Sequence, residues 1–317
     1  MIEGIPRISV TVVTYNQEDV VGRTLDSLIT QKDYLYEICV SDDCSSDNTW
    51  DVLLDYQRRF PDLFKLHRQK YNVGIFENID YAWRMPTGDI VNEIAGDDTT
   101  PDGWYKTVVE FIKKNNIDWK NELFCIYGDY KAEYPNGDSM IFRNMAIQRC
   151  PDKAFRLALR GIISQHGCCS SINIFRKFDI SARGRSHKVE QVQDRQLQLY
   201  TKKNYYIPVI ANIYYAGIGV STHVEDEETY RDRLEIWPYT LRYLEKKGIV
   251  LPKVDYNYGR YNVAMKQFRH KPSFGKLLKV LCWFIASYDI HLPHGNGMKH
   301  FLFAFRRRIP HKKAIVF

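Results

Sequence analysis

Ile38-Cys39-Val40-Ser41-Asp42-Asp43-Cys44-Ser45-Ser46-Asp47-Asn48-Thr49 runs from a short apolar segment into a pair of carboxylates. Ile90-Val91-Asn92-Glu93-Ile94-Ala95-Gly96-Asp97-Asp98 does the same further along the chain. Carboxylates at the carboxyl ends of parallel strands lie where open α/β sheets bind ligands. A single acidic pair reads as a solvated turn or a helix cap. Two pairs, each ending a strand in a βαβ context, point to a site for a divalent cation and a nucleotide. Hard divalent cations prefer oxygen ligands, which carboxylate and phosphate both offer.

The segments around these pairs alternate between strand and helix patterns. Ile8 to Thr14 is β-branched and apolar and reads as a buried first strand. Glu18 to Gln31 places Val20, Val21, Thr24, Leu25, Leu28 and Ile29 on one helical face. Tyr36 to Ser41 is the second strand, and Asp47 caps a helix that runs to Arg59. Phe64 to His67 is a short strand, Asn72-Val73-Gly74 a turn, and Phe76 to Met85 a helix. Pro101-Asp102-Gly103 opens another helix, and Leu123 to Tyr127 is again strand-like. Such alternation predicts an α/β fold, a Rossmann-like, mostly parallel sheet flanked by helices. Further strands are expected at Ser139–Arg143, Ser170–Phe175, Tyr205–Ile210 and Asn212–Ala216, with a helix over Val189–Lys202. Charged, aromatic helices follow from about Glu225.

Charge is unevenly spread over the 317 residues. The net charge is +7, yet residues 266–317 hold 11 Lys/Arg against one acid, Asp289. The rest of the chain is slightly acidic. A basic tail suits an anionic membrane surface, and no recognised nucleic-acid module accompanies it, so no nucleic-acid partner is expected. Seven Cys without a C-x-x-C pair read as buried thiols in a reduced, cytoplasmic chain. Met1 to Arg7 has no signal-peptide pattern. The longest apolar stretch, Val280 to Tyr288, is too short for a bilayer span of ~20 residues.

Five motifs occur in order: Val12-Val13-Thr14-Tyr15-Asn16, the Ser41–Thr49 string, Asn72-Val73-Gly74, Thr87-Gly88-Asp89-Ile90 and Gly96-Asp97-Asp98. Together they resemble the family 2 glycosyltransferases of GT-A fold, over residues 7–130 and more weakly to about 220. The resemblance implies inverting transfer of a sugar from a nucleotide donor, usually UDP-linked, with Mn2+ or Mg2+. Carried over by position, Thr14, Tyr15, Asp43, Asn72 and Asp97 would hold the nucleotide sugar. Tyr15 would meet the base or ribose, Asp43 the uracil N–H, and Asp97 the ribose. Asp98 would ligate the metal, with Asp97 and His223 as further candidates, while Asp42 would orient its loop. The family motif usually begins with Asp where this chain has Gly96.

The same resemblance gives the catalytic base. Inversion needs a carboxylate that takes the acceptor hydroxyl's proton as the new bond forms. Val192-Gln193-Asp194-Arg195-Gln196-Leu197 matches the family's segment, with Asp194 as base and Gln193 in place of the usual Glu. It follows the acceptor-loop-like Gly167-Cys168-Cys169-Ser170. His166 is a further candidate for acceptor contact. The Gln-x-x-Arg-Trp motif of processive synthases is absent, which favours single addition. Thr14-Tyr15-Asn16-Gln17-Glu18 has neither the Gly nor the Arg that a nucleotidyltransferase's phosphate loop needs. The expected organisation is a catalytic domain over 1–224, with a nucleotide-sugar half to about 130 and an acceptor half over 131–224, then a helical, basic region over 225–317. The expected function is synthesis of a cell-surface polysaccharide such as a capsule or O-antigen repeat. Its acceptor would be a glycan, free or carried on a lipid diphosphate, at the cytoplasmic face of the inner membrane, with 266–317 either in peripheral contact with anionic membrane or packed on the core as helices with basic outer faces. The alternative is an inactive nucleotide-sugar- or glycan-binding subunit of the same fold.

Overall fold

The computed structural model describes residues 4–178, 180–181, 196–218, 227–293 and 315–316. Strand β1 (Ile8–Thr14) is wholly buried, as its unbroken apolar and β-branched sequence requires. It pairs in parallel with β2 (Glu37–Asp42) on one side and β4 (Ile90–Ala95) on the other. Strand β3 (Phe64–Arg68) extends the sheet beyond β2, also in parallel. Helices α1 (Val21–Ile29), α2 (Thr49–Arg59), α3 (Ile75–Ala82) and α4 (Trp104–Lys114) make the crossovers. Helix α1 buries Val21, Thr24, Leu25 and Leu28, the stripe its spacing predicts. Asp47 turns the chain into α2 by accepting from the Thr49 N–H at 3.0 Å and the Thr49 hydroxyl at 2.6 Å.

The second half adds β5 (Phe124–Glu133), β6 (Ser139–Phe142), β7 (Cys169–Ser171), β8 (Lys203–Tyr215) and the short β9 (Ile315–Val316). The sheet runs β3-β2-β1-β4-β7-β5-β6-β9, and β8 pairs β5. Strand β7 is antiparallel to both β4 and β5, while β8 runs parallel to β5. Two expectations fail here. Ser170–Phe175 is not one strand: pairing ends at Ser171, whose hydroxyl accepts from the Asn173 N–H, and Ile172–Lys177 turns as helix. Tyr205–Ile210 and Asn212–Ala216 are not two strands but parts of β8, whose irregular register against β5 absorbs the break. Of the helix expected over 189–202, Gln196–Tyr200 is described and is helical.

Helices Glu227–Lys246, Lys253–His270 and Phe274–Ala286 follow; we call the last two αX and αY. No described helix is long and apolar enough to cross a membrane. A buried ionic cluster fixes αX to the sheet domain. Arg156 Nε donates to Asp255 at 2.5 Å and its Nη2 to Asp289 at 2.6 Å. Arg160 Nε reaches the other Asp255 oxygen at 2.6 Å, and Arg160 Nη1 reaches the Ser287 carbonyl at 2.9 Å. Asp255 is fully buried, and each of its oxygens is met by one of these guanidinium groups. Removing one member of a buried pair is more costly than the pair is stabilising. Asp255→Ala is therefore expected to lower stability by about 3–5 kcal/mol, read as a shift of the denaturant midpoint. A shift typical of surface substitutions would show that the cluster does not hold the helices.

Candidate active site

Strands β1, β2 and β3 are laid down on one side of the sheet, and β4 returns to the other side of β1. The chain direction thus switches between β1 and β4, where a crevice opens at the strands' carboxyl ends. Thr14 ends β1 and Tyr15 to Gln17 follow it, Asp42 and Asp43 end and follow β2, and Asp97 and Asp98 follow β4. All three stretches meet at this edge.

Hydrogen bonds stitch the loops to one another. The Asn16 N–H donates to Ser45 Oγ at 2.9 Å, and the Ser46 N–H returns to Asn16 Oδ1 at 2.8 Å. The Gln17 N–H donates to Thr49 Oγ1 at 2.7 Å, and the Glu18 N–H to Asp47 at 3.1 Å. Asn16 adopts a left-handed backbone, which the tight exit from β1 demands. Asp42, fully buried, accepts from the Ser45 N–H at 3.0 Å and faces Arg68 Nε at 3.4 Å. It therefore has the loop-orienting contacts expected of it. The Ser-Ser-Asp-x-Thr string is in large part this scaffold.

Asp43 accepts the Val73 N–H at 2.7 Å and the Gly74 N–H at 2.9 Å, which ties the Asn72-Val73-Gly74 turn to the site. Burial pushes its carboxyl above the ordinary value, and the two amides offset part of that. Each oxygen retains a free lone pair with which to meet a base N–H. Tyr15 is 44% exposed, and Asn72 is exposed as well. Thr14 is buried at the end of β1, and its hydroxyl has no hydrogen-bond partner among the described residues.

Asp98 is held from the far side of the fold. Asn212 Nδ2 on β8 donates to its Oδ2 at 3.1 Å, and the Tyr215 N–H lies 3.4 Å from its Oδ1. A β-bridge between Thr99 and Ile213 fixes this approach. Burial pushes the Asp98 carboxyl up to about 7, against these neutral partners. Asp97 is raised in the same direction, again by burial. Arg23 of α1 donates to the Asp97 carbonyl at 2.8 Å and packs 3.6 Å over the Tyr215 ring, bringing a cation to the acidic pair. The sequence reading missed Arg23, Asn212 and Tyr215.

Gly96 has little room for a side chain. A Cβ there would overlap Gln17 Oε1 and lie 3.0 Å from Thr14 Cβ and 3.1 Å from the Val13 carbonyl. Gln17 thus fills the slot that the family's usual acid would enter. Among the described residues no group of three or more His, Cys, Asp or Glu side chains forms a ready metal cage. Asp98 and Asp97 fit instead a divalent cation that brings most of its oxygens with it, as Mg2+ does on one or two carboxylates plus substrate phosphates.

A cavity of about 370 Å3 adjoins Asp98 and Asn212. Trp83, Tyr130, His166 and Phe175 wall it, and Glu93 enters it while accepting from the Trp83 indole N–H. Gly167, next to cavity-lining His166 and Cys168, has a positive φ of 72°, and a Cβ there would overlap Ala211. Aromatic walls with a few polar groups suit a sugar ring. Leu197, at the start of the Gln196–Tyr200 helix, also lines the cavity. Asp194 and His223 lie outside the described residues.

The sequence profile of Glycosyl transferase family 2 matches residues 9–181. EpsE of Bacillus subtilis, which is named as a glycosyltransferase, is 26% identical over 110 residues. That alignment covers 35% of this chain and 40% of EpsE, so the chain spans less than half of that relative's length. In three dimensions the chain is similar to residues 1–349 of S. aureus TarS in complex with UDP-GlcNAc. The TM-score is 0.58 at 17% identity, over 89% of this chain and 82% of that one. It is also similar to GalNAc-T7 with UDP, GalNAc and Mn2+, with a TM-score of 0.51 at 15% identity, over 90% of this chain and 59% of that one. At such identities the likeness is one of fold.

The raised Asp98 pKa has a measurable sign. A carboxyl raised in the folded state is most stabilising below the unfolded value of 3.8 and loses that contribution as pH rises through about 7. Asp98→Asn, which never ionises, should melt higher than the parent at pH 8 without divalent cations and match it more closely at pH 4. Equal differences at both pH values would show that Asp98 titrates normally.

Proposed function

The chain belongs to glycosyl transferase family 2, and from that premise we propose that it is an inverting, metal-dependent transferase that adds one sugar per encounter. The donor is a nucleotide sugar, UDP-linked. The acceptor is a glycan on a lipid diphosphate, and the product a cell-surface polysaccharide unit made at a cytoplasmic membrane face. One observation carries the reading: Tyr15, Asp43, Asp97 and Asp98 follow β1, β2 and β4 at their shared carboxyl edge, and Asp98 lines the aromatic-walled cavity of about 370 Å3. The UDP-GlcNAc of TarS and the UDP and Mn2+ of GalNAc-T7 support a nucleotide and a divalent cation here.

Asp43 accepts the base imide N–H, Tyr15 covers the base, and Asp97 meets the ribose. Asp98 with Asp97 would hold a divalent cation, which would supply positive charge to the leaving diphosphate. Arg23, already beside Asp97, adds positive charge on the same side. The acceptor sugar stacks in the cavity walled by Trp83 and Phe175. Asp194, three positions before cavity-lining Leu197, takes the acceptor hydroxyl's proton. The new C–O bond forms at the anomeric carbon while the bond to the diphosphate breaks on the opposite face, which inverts that centre. In the rival reading the chain is a binding subunit without turnover, favoured by Gly96 and Gln193 where the family has acids.

Thermal shift and calorimetry with UDP-, GDP- and dTDP-sugars, with and without Mn2+, separate these readings. One UDP-sugar should bind in a Mn2+-dependent way, and Asp98→Ala should lose that dependence. Asp194→Asn should keep donor binding while transfer falls by about 10²–10⁴-fold. Normal turnover in Asp194→Asn would remove it as the base. Donor binding without donor hydrolysis or transfer in the parent chain would favour the binding subunit.

A further inference from the structure

Helix αY presents an apolar ridge away from the fold. Phe274, Leu278, Leu281 and Ile285 recur at helical spacing along its whole length and lie on one stripe. Phe274 is 75% exposed, Leu278 46% and Ile285 72%, and Leu281 is half-buried. The opposite side does the packing: Val280 is fully buried against Tyr261, Ala264 and Met265 of αX. Tyr288 and Ile290, just past the helix, are exposed as well. Surface-exposed apolar residues standing singly are ordinary, whereas a continuous ridge marks an interaction surface.

The charge around the ridge names the partner. Lys266, Arg269, Lys271, Lys276 and Lys279 lie in this hairpin, and no acid occurs from Lys266 to Tyr288. Asp289, the next acid, is held by Arg156. A second copy of the chain would set these cations against their equivalents, a like-charge arrangement without compensation. At 13 residues αY cannot span a bilayer, which takes ~20. A short helix with an exposed apolar face in a basic surround lies in the plane of a membrane interface, its apolar side chains at the headgroup boundary.

We propose that the Phe274–Leu278–Leu281–Ile285 ridge of αY docks on an anionic lipid surface, with the exposed Lys279 and the net positive charge of the hairpin drawing it to the headgroups. The proposal deepens the membrane-side reading given above and names the segment and the lipid charge. The test is co-sedimentation of the full chain with phosphatidylcholine vesicles, with and without phosphatidylglycerol. Binding should be at least about tenfold stronger on the anionic vesicles and should weaken as salt rises. Leu278→Ser with Ile285→Ser should cut binding about tenfold or more, with the melting temperature retained, because both side chains are exposed. Lys279→Glu supplies a second variant and should reduce the preference for anionic over neutral vesicles. Three results overturn the proposal: no vesicle binding by the parent chain, undiminished binding by both variants, or a concentration-dependent dimer that the Ser variant abolishes. The assay contains no nucleotide or acceptor, so its failure strikes the ridge and leaves the sugar-transfer reading standing.

Discussion

The parallel pairing of β1 with β2 on one side and β4 on the other is the constraint on which the site depends. Parallel strands bring their carboxyl ends to the same edge, so three loops far apart in sequence must share one small volume. Those loops cannot stay solvated there, and their backbone groups need partners. Ser45, Asp47, Thr49 and Asn16 supply them, and the polar string after β2 reads as their inventory. Asp43 then carries the order outward to the turn at Val73 and Gly74.

The other half of the site is set by β8. Asn212 and the Tyr215 amide approach Asp98 from a strand more than a hundred positions away in sequence. Their hold is modest in hydrogen-bond terms, yet it fixes a carboxyl that burial has taken out of water. The fold thereby keeps an acid whose charge is costly until a cation is near. The Arg156–Asp255–Arg160 cluster performs a separate task, anchoring αX to the sheet domain and so setting which side of αY is packed and which is bare.

Much of this was legible before any coordinates. Strands β1, β2 and β4 stand out because buried parallel strands are continuous apolar runs. Their acidic endings stand out because carboxylates seldom follow such runs without a purpose. The stripe of α1 follows from helical periodicity. What was not legible has physical causes. The end of β7 depends on one serine hydroxyl finding a backbone N–H, a local choice that propensity does not encode. The unity of β8 rests on its irregular register against β5, which appears only once the partner strand is in place. Arg23, Asn212 and Tyr215 carry no motif, because their roles come from tertiary approach. Asp194 rests on the family resemblance and His223 on its residue type, and both lie outside the described residues.

The tight packing at Gly96 constrains how this chain can change over time. Positions 17 and 96 compete for one slot, with Thr14 and the β1 backbone forming its walls. An acid arriving at 96 has to turn the end of the Gln17 side chain aside, and its Cβ then still sits tight against Thr14 and the Val13 carbonyl. A shorter residue 17 removes the nearest of these contacts and leaves the other two. Introducing an acid at 96 is therefore a matter of packing at position 17 as well, although the chemistry belongs to position 96.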